Sequence, residues 1–119
     1  MKKIHLIFSG LVILVGVVHI IYTTQIYDSL NFNALWFVSG GLWSITLGLF
    51  NLVMRENEGS SRTQIMLLYV VNLLSAVFIV LAIYVMKDPS TYLISIIVLV
   101  MGLSSLSIKY PDKHKNIIT

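Results

Sequence analysis

Cysteine is absent from this chain. That excludes a disulfide framework, a thiolate metal site and a cysteine nucleophile, and it leaves the redox compartment unreadable. Charge is scarce and confined to particular places. Aspartate, glutamate, lysine and arginine are all missing from four stretches, residues 4–24, 34–54, 65–86 and 91–108. None of these stretches can therefore supply a carboxylate to acid–base chemistry or to a cation path. Proline occurs only at Pro89 and Pro111. The first sits just ahead of the fourth stretch, where a helix start tolerates it, and the second lies where it stops that helix.

What fills the chain instead is apolar. Each stretch holds about 18–22 residues, and about 20 helical residues at 1.5 Å rise cross a hydrocarbon core. Backbone groups in lipid must be satisfied within the segment, which requires helix. Barrel strands would be shorter and would alternate polar with apolar residues, and these do not. The composition, 57% hydrophobic and 11% charged, leaves too little polar surface for a water-soluble core of this size. The expected fold is all-α: a polytopic membrane protein with one domain over residues 1–119, its four transmembrane helices in an up-down-up-down bundle. The N-terminal run after Lys2 and Lys3 resembles a secretory signal. It is longer than a signal core and no small-x-small cleavage site follows it, so it reads as a retained first helix.

The net charge of +3 is distributed by side rather than gathered on a surface. Lys2 and Lys3, Arg55 and Arg62, and Lys109, Lys113 and Lys115 fall on one side of four crossings, leaving Lys87 on the other. The positive-inside rule then places both termini in the cytoplasm. The lysine, isoleucine and asparagine bias suggests a bacterial inner membrane. With no folded basic surface to present, nucleic acid is not an expected partner. Trp36, Tyr92, Tyr84 and Tyr22 fall near the outer interface, where aromatic rings favour the headgroup boundary.

Each stretch carries a stripe of small or polar residues at alternating steps of three and four. The stripes are His5, Ser9, Val12, Gly16, His19, Thr23; Gly41, Ser44, Gly48, Asn51; Leu68, Asn72, Ser75, Ile79, Ala82, Met86; and Thr91, Ser95, Val98, Gly102, Ser105. Lipid tails are as apolar as leucine, so small residues that let backbones approach, and polar groups that bond across helices, mark the seams. Ser9, Asn51, Asn72 and Ser105 form an expected packing layer near the cytoplasmic side.

His19 is the sharpest candidate for chemistry, roughly 8 Å below the outer end of its helix at helical rise. An ionisable residue inside a span is a functional hypothesis by default. With Trp36, Ser39, Trp43 and Ser95 it outlines a candidate ligand site for haem, quinone or lipid. The competing reading is a structural imidazole bonded within the bundle. No second histidine shares its depth, and zinc would need about three protein ligands. No metal site or catalytic residue is assigned, and no cofactor is identified.

Three functions follow, in order of preference. The first is a non-catalytic accessory, assembly or sensing subunit, paired with the lipid bilayer and with a second copy or another membrane protein. The second is a membrane-embedded small-ligand binder using His19. The third is an oligomeric transporter or channel. The chain has the size of a small multidrug-resistance subunit, but that family depends on a glutamate in its first helix, and this first helix has none.

Overall fold

The computed structural model describes residues 1–57 and 61–108. Glu58, Gly59 and Ser60 of the middle loop lie outside the described residues, as does the tail from Lys109 with Pro111, Lys113, His114, Lys115 and Ile118. Within the described part the structure is helical and no strand occurs. The helices are α1 (Lys2–Ile26), α2 (Phe32–Glu56), α3 (Arg62–Met86) and α4 (Pro89–Ser105). The first three are long and apolar enough to cross a membrane.

Hydropathy and helix ends follow different physics, and the boundaries show it. The apolar stretches stop where charge begins, but backbone hydrogen bonding continues until a cap ends it. So α1 takes in Lys2 and Lys3, and α2 runs on through Arg55 and Glu56. The Asn31 side chain starts α2 by accepting from the Ala34 N–H at 2.9 Å, and Ser61 starts α3 by accepting from the Gln64 N–H at 3.1 Å. Both are the residue types expected at an N-cap.

The fourth helix is shorter than its apolar stretch at the C-terminal end. It opens at Pro89, with the Asp88 carboxylate accepting from the Ser90 and Thr91 N–H groups at 3.0 and 3.1 Å. It closes at Ser105 rather than continuing to Ile108. Serine hydroxyls are the physical reason. Ser104, Ser105 and Ser107 each donate to a carbonyl three residues back, at 2.6–2.8 Å, competing with the helical pattern. The backbone tightens into i→i+3 bonds at Leu106, Ser107 and Ile108, and the Tyr69 hydroxyl caps the Ile108 carbonyl at 2.9 Å.

α1 packs most closely on α2, and α4 bridges α1 and α3; α2 and α3 touch only lightly. Glycine makes the α1–α2 approach possible. A Cβ on Gly16 would lie 2.5 Å from the Gly41 carbonyl oxygen, one on Gly41 would lie 2.8 Å from the Gly16 oxygen, and one on Gly48 would lie 2.7 Å from the Ser9 oxygen. Each distance is shorter than any real side chain tolerates, so backbone meets backbone along this seam. The pairings ascend one helix and descend the other, so α1 and α2 are antiparallel.

The interior is polar at several levels and the exterior apolar. His5, Ser9, Asn51, Ser95 and Ser105 are fully buried, while Leu14, Leu42, Leu73, Leu81 and Leu93 are exposed. In water such a surface would aggregate; against lipid it costs nothing. Between the polar levels, Val12, Leu47, Ile79, Val98 and Met101 form an apolar core, and Met54, Ile65, Leu68 and Ile108 form a second near the Glu56 end of α2.

Candidate functional site

Asn51, three-quarters of the way along α2, is buried and uses its whole amide. Its Nδ2 donates to the Leu47 carbonyl at 3.0 Å and to Asn72 Oδ1 on α3 at 3.0 Å. Its Oδ1 accepts from Asn72 Nδ2 at 2.9 Å and faces His5 Nε2 on α1 at 3.1 Å. The Leu47 carbonyl decides which end of the amide is nitrogen, because two oxygens would repel there. With its oxygen turned to α1, Asn51 can only accept, so His5 carries its hydrogen on Nε2. The chain His5–Asn51–Asn72 thus ties three helices together. It includes a reciprocal amide pair where α2 and α3 otherwise barely meet. Gly102 of α4 stands at the same level, where a Cβ would make ordinary contact with Asn72 Cβ at 3.7 Å.

The four residues of the expected packing layer separate into two kinds. Asn51 and Asn72 bond to each other. Ser9 and Ser105 are equally buried, yet Ser105 donates to its own helix at Gly102 and the Ser9 hydroxyl has no hydrogen-bond partner among the described residues. His5 is a further member, which the sequence reading placed on the α1 stripe but not in this layer. Its signal was present, since it stands seven residues before Val12 on the α1 seam.

The residues of the outer candidate site stand in different surroundings. His19 is half-buried and its ring stacks on Phe37 of α2, centroids 3.8 Å apart and planes 9° from parallel. Its Nε2 faces Gly40, where a Cβ would lie 3.5 Å away. Trp36 and Ser39 are exposed, and Ser39 donates to the Trp36 carbonyl at 2.6 Å. Trp43 turns toward α3, edge-on to Phe78 with centroids 5.2 Å apart, beside a groove of about 370 Å³ shared with Val71, Leu74 and Ser75. Ser95 is buried and donates to the Thr91 carbonyl at 2.6 Å. Among the described residues, no three His, Asp or Glu side chains gather as metal ligands.

These features define a class of structure: an apolar-surfaced helical bundle, glycine-seamed on one side and joined inside by a histidine–asparagine chain. No family model, curated protein or solved structure matches this sequence.

Proposed function

We propose that this chain is a multi-pass protein of a bacterial inner membrane whose four helices cross up-down-up-down with both termini in the cytoplasm. We infer that it acts as a non-catalytic accessory, assembly or sensing subunit, partnered with lipid and with a second copy or another membrane protein. The α4 helix, 17 residues long, is at the lower end of the range of about 17–25 that spans, and the turn at 106–108 extends it.

One observation carries the functional reading. Most of the polar groups in the middle of the bundle are spent on the bundle itself; the buried atoms left without a described partner are the Ser9 hydroxyl, His5 Nδ1, Arg55 Nε and Gln64 Oε1. Asn51 makes the four bonds its amide can make, and the hydroxyls of Ser44, Ser75, Ser95, Ser104 and Ser105 all donate to carbonyls of their own helices. The amides hold helices together and the hydroxyls are committed within their own helices, so neither is left for reactants. A second reading, ligand binding at His19, is favoured by one specific observation: its imidazole is held by stacking on Phe37 and makes no hydrogen bond to another described side chain.

A native mass spectrum of the protein in nanodiscs, with an absorption spectrum of the same sample, tests both. A chain or oligomer with no bound mass that depends on His19 is expected. A bound mass or a Soret band that disappears in His19→Ala would replace the first reading with the second.

A further inference from the structure

At the Lys2 end of α1 a cavity of about 240 Å³ is lined by Lys2, His5, Arg55, Glu56 and Ile108. At about 30 Å³ per water it has room for a small hydrated anion. Its charged lining is two cations and one carboxylate, and the carboxylate is partly committed: Glu56 Oε1 accepts from Arg55 Nη1 at 2.8 Å.

Two buried polar atoms on this lining have no hydrogen-bond partner among the described residues, His5 Nδ1 and Arg55 Nε. Such atoms are costly and call for an explanation. His5 is fully buried, and its other nitrogen is committed to Asn51. Because Asn51 fixes the hydrogen on Nε2, the neutral ring presents a lone pair at Nδ1. Arg55 Nε presents a hydrogen. The occupant that satisfies both offers a donor to one and an anionic oxygen to the other.

We propose that this cavity binds a phosphate monoanion or phosphomonoester, with a P–OH donating to His5 Nδ1 and a P–O⁻ accepting from Arg55 Nε. If the proton moves to Nδ1, the ring becomes imidazolium and the phosphate a dianion; the proton count is unchanged, and Asn51 Oδ1 still accepts from Nε2. Sulfate and phosphodiesters bring no such proton at neutral pH, so they satisfy only the arginine. Arg55 belongs in this role because a guanidinium keeps its charge and directs several N–H groups at an oxyanion. Two sources share this chemistry, free phosphate and the headgroup of phosphatidic acid. The site itself does not depend on which side of the membrane it faces.

The test uses the full chain. In detergent micelles, inorganic phosphate and sodium sulfate are titrated at pH 7 while the ¹⁵N signal of the His5 ring is followed. In nanodiscs of phosphatidylcholine, retention of phosphatidic acid is compared with phosphatidylglycerol by native mass spectrometry. Each is repeated in Arg55→Gln, a substitution at the rim of the cavity, with unfolding temperature recorded as a check on folding. Phosphate binding at least about tenfold tighter than sulfate, shifting the His5 signal and weakened about tenfold in Arg55→Gln, supports a free-phosphate site. Preferential retention of phosphatidic acid, lost in Arg55→Gln, supports a lipid site. No binding, no preference for the monoester in either arm, or binding that Arg55→Gln leaves unchanged overturns the proposal.

Discussion

Gly16 of α1 and Gly41 of α2 face each other so closely that a methyl on either would collide with the other's carbonyl oxygen, at 2.5 and 2.8 Å. The colliding atom is backbone, so relief requires the helices to separate. Gly16→Ala is therefore expected to destabilise the protein by about 1–3 kcal/mol, the usual range for overpacking. Gly10 is the internal control on the same helix, since a Cβ there meets nothing within 4 Å. Gly10→Ala should stay within about 0.5 kcal/mol of the parent. Reversible unfolding in mixed micelles measures both. Equal effects of the two substitutions would remove the seam from the account.

The His5–Asn51–Asn72 chain should behave as a unit. Asn51→Leu leaves the His5 N–H and the Asn72 amide unpaired together, at a cost of about 1–3 kcal/mol. Asn72→Leu should cost less, because Asn51 keeps its Leu47 bond and His5. The double variant is expected to fall short of the sum by about 1 kcal/mol, within the range measured for hydrogen bonds between membrane helices. Additive losses in a double-mutant cycle would mean the amides do not interact.

Asp88 supplies a pH signature at the start of α4. The Ser90 hydroxyl, then the Thr91 hydroxyl and N–H, hold its carboxyl down at about 2, below the ordinary 3.8. A depressed folded value means the carboxylate stabilises the fold above the ordinary value and loses that contribution as pH falls through the folded one. Unfolding temperature should therefore drop between about pH 4 and pH 2 by more in the parent than in Asp88→Asn, which keeps a capping oxygen but does not titrate. Asp88→Ala should lower the unfolding temperature at neutral pH. Identical pH profiles for parent and Asp88→Asn would contradict the cap.

The sequence shows the four helices because absent charge and unbroken apolar runs are strong signals over about 20 residues. Its stripes also coincide with burial at many positions: Ser9, Val12 and Gly16 on α1, and Gly41, Ser44, Gly48 and Asn51 on α2, are all buried. Less was legible where local chemistry competes with hydropathy. Isoleucine at 108 looks like a continuing span, but three serines turn the backbone before it. Histidine at 5 belongs to the α1 stripe and is buried with it. Its bond to Asn51 was not legible, because that depends on where α2 arrives, which spacing within one stretch does not encode. The stacking of His19 on Phe37 is of the same kind. Both residues are visible in the sequence, but their meeting depends on the offset between α1 and α2, which the glycine contacts set.

The proposed crossing of the membrane carries the rest of the functional reading, and this cysteine-free chain allows a direct test. Ser29→Cys in the first connection and Ser60→Cys in the middle loop are each expressed in intact cells and exposed to a membrane-impermeant maleimide. The expected result is labelling at position 29 without permeabilisation and at position 60 only after it. Labelling of Ser60→Cys from outside intact cells would contradict the orientation, and labelling of both from the same side would contradict the spanning of α2.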